Sequence, residues 1–180
     1  MRLEVDSKSY LRLLVKSDAE RIFQLVEQNR AYLSEWLPWV PSTKTVEDTQ
    51  SFLEIVEANH ASKKATHCGI VFQEQLVGLI GLRLNSESYV ANIGYWLSEH
   101  VSGRGLMTRS VQQLCKYGFE QLHLERIEIR AAISNPSSWS IADRLGFTRE
   151  GVLRRCERVS DRFFDHYMYS LIRTDNVDWR

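Results

Sequence analysis

After Lys64 the hydrophobic period of the chain changes, and that change limits the folds open to it. Upstream, apolar residues recur at helical spacing. Ile22, Leu25 and Val26 form the stripe of a helix running to about Arg30, and Phe52, Leu53, Val56 and Ala58 that of a helix beginning near Thr45. Downstream, His67 to Phe72, Leu76 to Leu84 and Tyr89 to Leu97 are rich in β-branched, aromatic and glycine residues between polar turns, the pattern of a three-stranded meander. A strand from Tyr10 to Val15 comes first, and Ser17-Asp18-Ala19-Glu20 reads as a capping box opening the first helix. A helix from about Leu106 to Leu122 follows the meander, with Val111, Leu114, Cys115, Gly118 and Phe119 facing inward, and then a strand from Arg126 to Ile133. Ser137 to Leu145 is a short helix closed by Gly146, and strands from Val152 to Val159 and Phe163 to Ile172 meet at the turn Ser160-Asp161. The predicted order is βααβββαβαββ, a mixed α/β domain.

At 180 residues, without repeats, low-complexity tracts or Gly/Ser linkers, the chain reads as one domain over 1–180. Lys plus Arg equals Asp plus Glu at 23 each, which removes the diffuse positive field that binding to nucleic acid or an anionic membrane surface requires. The N-terminal stretch lacks the apolar core of a signal peptide, and no later stretch is apolar enough for a membrane span, so a cytoplasmic protein is expected. Cys68, Cys115 and Cys156 are odd in number and widely spaced, unlike a disulfide framework or a zinc cluster. The five histidines include no i, i+4 pair, so no metal is expected.

The segment that carries chemistry runs from Gly94 to Thr108, where a strand passes through the turn Ser102-Gly103-Arg104-Gly105 into a helix at Leu106-Met107. Such a turn exposes backbone N–H groups at a positive helix end, which suits a pyrophosphate, although two glycines before a helix also describe an ordinary tight turn. A Rossmann turn needs a third glycine where Thr108 stands, and a Walker loop needs a Lys and a Ser or Thr after its last glycine, so NAD and ATP are disfavoured.

Together with Asn135-Pro136-Ser137-Ser138 and Leu145-Gly146-Phe147-Thr148-Arg149-Glu150-Gly151, this segment resembles the GNAT superfamily of N-acetyltransferases, and more narrowly its RimJ/RimL-type branch, from about Tyr10 to Thr174. The resemblance implies the GNAT fold, a mainly antiparallel twisted sheet flanked by helices, and acetyl-CoA as co-substrate. The family's (Gln/Arg)-x-x-Gly-x-(Gly/Ala) signature falls on Ser102, Gly103, Arg104, Gly105, Leu106 and Met107, departing at its first and last positions. Because the family's phosphate contacts come mostly from main-chain amides, those departures bear on affinity more than on binding mode; Arg104 adds charge there. By the same resemblance the backbone of Trp96 and Leu97 receives the pantetheine arm like an added strand, Asn135 contacts it, and Ser138 lies by the sulfur to protonate the departing thiolate. On bare sequence Asn135-Pro136-Ser137 equally describes a turn and helix cap.

Glu157 matches the glutamate that RimL-type enzymes use as base; the alternative is a surface pair with Arg155 or Arg158. Trp36 and Trp39 are candidate walls of the acceptor site or, equally, packing residues, and Tyr95, His166 and Tyr167 are further acceptor-site candidates. Cys115 reads as core, and Cys156 has no identifiable histidine partner, which favours direct transfer over an acyl-cysteine. The branch implies the N-terminal amine of a protein, such as a ribosomal protein, as acceptor, and a homodimer. An α-amine is about one-seventh neutral at pH 7 and a lysine about 0.04%, a gap of about 3.5 kcal/mol, so a weak base serves the former better. A small amine (polyamine, amino acid or antibiotic) as acceptor, or a non-catalytic acyl-CoA sensor, are the alternatives.

Overall fold

Alternating Leu3 and Val5 among charged neighbours start a strand that the periodicity reading passed over: β1 spans Arg2–Asp6 and pairs antiparallel with β2, Ser9–Leu13. The computed structural model describes residues 1–180 apart from Ser86, Asn176, Asp178 and Arg180. The expected Ser17 capping box does not form. Lys16–Asp18 is a 3-10 turn, and Asp18 instead accepts from the Val15 amide at 2.9 Å and from Arg12 at 2.6 and 2.8 Å, a burial-compatible pairing that moves the start of α1 to Ala19.

Helices α1 (Ala19–Gln28), α2 (Arg30–Ser34) and α3 (Val46–Ala61) follow. Thr45 caps α3 reciprocally with Asp48, and Thr49, Leu53 and Val56 supply its buried face while Phe52 stays partly exposed. Strands β3 (Ala65–Phe72), β4 (Gln75–Asn85) and β5 (Val90–Leu97) form the expected meander. Then come α4 (Leu106–Glu120), β6 (Arg126–Ala132), α5 (Pro136–Arg144), β7 (Thr148–Val159) and β8 (Arg162–Ile172).

The sheet has eight strands in the order β1-β2-β3-β4-β5-β6-β8-β7, antiparallel throughout except for the parallel pair β5–β6. A parallel neighbour needs a crossover, and α4 supplies it. Two apolar clusters lie on the two faces. Val111, Leu114 and Cys115 of α4 meet Leu82, Ile127 and Ile129 on one, and Ile22, Leu25, Leu53 and Val56 meet Val71 and Leu79 on the other. Helices α1 and α3 pack over β3 and β4, whereas on the opposite face α4 packs over β1, β2 and β4 and α5 over β6 and β7. The α1 face is therefore helix-covered as far as β4, and beyond it the segment of Trp36 and Trp39 reaches over to Phe164 of β8 and Trp96 of β5. Among the described residues no helix is long and apolar enough to cross a membrane.

Candidate active site

The pairing of β5 with β6 stops at Ile93 opposite Ile129, although β5 continues to Leu97 and β6 to Ala132. On its other side β5 stays paired with β4 as far as Leu97, so the main chain of Gly94 to Leu97 presents a free edge towards β6. The sheet is thus split in its middle. A cleft of about 1330 Å³ passes through the split, lined on one side by Leu106, Met107 and Ser138 and on the other by Trp36, Glu157 and His166.

The loop after β5 is fixed from below by a residue that local pattern could not reveal. Buried Asn29 donates to Leu25 O and Ser98 Oγ, both at 2.8 Å, and accepts from the Glu99 amide at 2.9 Å. Gly103 and Gly105 have φ of +75° and +70°, the left-handed region that glycine enters without strain. Gly105 is the N-cap of α4 and no side chain caps that helix, so its first amides and the positive dipole end face the cleft. A Cβ at Gly103 would meet nothing within 4 Å. The side chains of Leu106 and Met107 are buried, leaving main chain as what those residues offer, and Ser102 Oγ donates to Ser98 O at 3.2 Å. Arg104 points out of the cleft, its Nη2 3.4 Å from His100 O.

Asn135 is the N-cap of α5, its Oδ1 accepting from the Ser138 amide at 3.2 Å, and it also lines the cleft. Tyr95 donates its hydroxyl to Ser138 O at 3.0 Å, and Ser138 Oγ lies 3.3 Å from Tyr95 Oη. Burial pushes the Tyr95 phenol up to about 12, so the hydroxyl keeps its proton across the physiological range.

Successive strand residues point to opposite faces, which separates the remaining candidates. Tyr95 turns to α5, so it stands with Ser138 and not with the Trp36 group; Trp96 turns the other way, its ring 6.4 Å from that of Trp39. Tyr167 stacks edge-on against Trp139 of α5, so its neighbour His166 faces the open side. There His166 Nε2 lies 3.3 Å from Glu157 Oε2, and among the described residues it has no hydrogen-bond partner of good geometry although His166 is only 7% exposed. Glu157 thus pairs with His166 rather than with the arginines beside it: Arg158 binds Asp161, and Arg155 lies over the Phe163 ring. A bulge between Leu153 and Glu157 in β7, with Arg155 at φ +50°, aims this carboxylate inward. Trp36 walls the cleft and packs on Phe164 at 5.9 Å, whereas Trp39 stands behind Trp96, outside the lining. Cys156 also lines the cleft, its Sγ 3.8 Å from Phe164 O.

Chemically, one face offers uncapped amides and a hydroxyl pair able to pass a proton, the other a carboxylate backed by an imidazole, and the gap between them a strand edge able to receive an extended ligand. The acetyltransferase (GNAT) domain family matches residues 9–148. YdaF of Bacillus subtilis (strain 168) is 30% identical over 174 residues, covering 96% of this chain and 95% of that protein. The ribosomal-protein-serine acetyltransferase of Escherichia coli (strain K12) is 28% identical, covering 94% and 96%. Among solved structures, RimL, a ribosomal L7/L12 alpha-N-protein acetyltransferase in complex with coenzyme A, superposes with a TM-score of 0.93 at 27% identity over 96% of this chain and 98% of that one.

Proposed function

This chain belongs to the GNAT acetyltransferase family, and from that premise we propose that it transfers the acetyl group of acetyl-CoA to the N-terminal α-amine of a ribosomal protein in the cytoplasm. The observation that carries the reading is the parting of β5 from β6 beside the uncapped start of α4, with Ser138 and Glu157 on opposite sides of the gap.

The residues present fit a coenzyme A thioester. The free edge of Trp96 and Leu97 accepts an extended amide-bearing arm, Asn135 retains its amide N–H groups for that arm, and the amides from Gly103 to Met107 face a diphosphate. Acetyl-CoA supplies an activated acyl group with a thiolate leaving group. Ser138 holds the proton that the thiolate takes, and Tyr95, kept protonated by burial, anchors Ser138 by donating to its main-chain carbonyl. On the other side Glu157 takes the proton of the attacking amine, with His166 Nε2 3.3 Å behind its carboxylate. Trp36 walls the acceptor. A carboxylate is a weak base, adequate for an α-amine that is already partly neutral and poorly suited to lysine.

The acceptor is supported by the ribosomal-protein acetyltransferases among the relatives. Mass spectrometry of peptides with free N-termini and of small amines, each incubated with purified protein and labelled acetyl-CoA, tests it. Label on the α-amine of the peptides is expected; label on small amines alone would overturn the reading.

A further inference from the structure

Beyond the amine, the open face carries two guanidinium groups that nothing above uses. Trp96, Gly94 and Asn92 follow one another along β5 on that face, and Gly94 has no side chain to cover the sheet. Arg83 of β4 lies opposite Asn92, and its Nη2 is the nearest atom, at 4.0 Å, to where a Gly94 Cβ would stand. Arg130 of β6 sits one side-chain step beyond Glu128, itself opposite Asn92, which sets it level with Gly94 from the other flank. Both arginines line the cleft. Among the described residues Arg83 has no hydrogen bond or ion pair. Arg130 gives only one N–H, to Glu128 Oε2 at 3.2 Å, and Glu128 is shared with Arg126. In a chain of zero net charge this is a local concentration of unspent donors with planar fork geometry, suited to a carboxylate.

The charges are ordered along the face. Glu157 stands at the Trp36 and His166 end, where an ammonium would arrive, and the guanidinium pair lies further along β5. From Trp96 to Gly94 is two residues, about 7 Å, matching two residues of an extended peptide. We infer that Arg83 and Arg130 form an anion-binding floor selecting acceptors with an acidic side chain at the second or third residue. The inference rests on the N-terminal-acceptor reading and narrows its substrate class.

Three peptides that begin with serine and continue with two aspartates, two asparagines or two lysines, otherwise identical, test it by kcat/KM. Acidic over neutral over basic is expected, with about tenfold between the first two at low salt, shrinking as salt rises. Arg83→Gln and Arg130→Gln should each flatten the order, and Arg83→Glu should raise turnover of the lysine peptide, a gain that a misfolded variant cannot produce. Should Arg83→Glu lose all turnover, the two glutamine variants decide. Equal kcat/KM for the three peptides, or an order unchanged in both glutamine variants, overturns the anion floor and leaves the N-terminal acceptor standing. Turnover of no peptide overturns both.

Discussion

Ser138 Oγ has two uses that compete: it can donate to Tyr95 Oη at 3.3 Å or turn towards the gap. If the second is its role in turnover, Ser138→Ala lowers kcat by about tenfold to a hundredfold while acetyl-CoA affinity stays nearly constant, since the amides around Gly105 are untouched. Steady-state kinetics beside calorimetry separates the two, and an unchanged kcat would remove Ser138 as acid. A second residue effect concerns stability. Arg126 and Ser170 hold Glu150 down at about 2, so its contribution is fully present above the ordinary carboxylate range and is lost as pH falls from about 4.3 towards 2. Because the Glu150 side chain is 41% exposed, solvent screening keeps that contribution on the order of 1 kcal/mol. Urea unfolding of Glu150→Gln should show that loss at pH 7 and a shrinking difference below pH 4. The catalytic candidates Ser138 and Glu157 and the cofactor contact Asn135 are legible from motif resemblance, whereas Asn29 and the Glu157–His166 approach are not. Their partners lie far along the chain or across a hairpin whose bulge sets the register, which no local window contains.

Helices and strands with clear periodicity were legible in outline, because burial of a single face imposes the period directly. What escaped was decided by tertiary partners. Strand β1 is five residues long and finds its pairing only on β2, and the Ser17 cap lost to Asp18 because Arg12 reaches that carboxylate. A close backbone approach between elements lies at Gly78, where β4 runs against β5 just behind the split. A Cβ there would stand 2.4 Å from Trp96 O and 2.9 Å from Leu97 Cα, both backbone. Gly78→Ala should therefore push β5 away from β4. We expect about 1–3 kcal/mol of destabilisation and weaker coenzyme A binding together, measured by denaturant unfolding and calorimetry. Loss of stability with unaltered affinity would mean that the edge at Trp96 and Leu97 is not where the ligand lies.

At the scale of the molecule, the two halves of the sheet are joined at β5 and β6 only from Val90 to Ile93 and from Arg126 to Ile129, so a ligand seated in the split would bridge them. Coenzyme A at a hundredfold excess over its Kd should stabilise the fold by about 2.7 kcal/mol, about 5–10 °C in Tm for a chain of this size. A melting curve with and without it is the check, and no shift would remove the split as a coenzyme site. The mixed α/β class was legible in the order of periodic segments, but the sheet's strand order and the gap only through family resemblance, since they are set by contacts between segments distant in sequence. The split has one further consequence. An opening that pierces a sheet has two mouths, so on the proposed reading donor and acceptor come in by separate doors and neither crowds the other. The second door lies beyond the reach of α1 and α3 and is flanked by Trp36, and on that same reading a folded protein would offer its first few residues there without unfolding anything else.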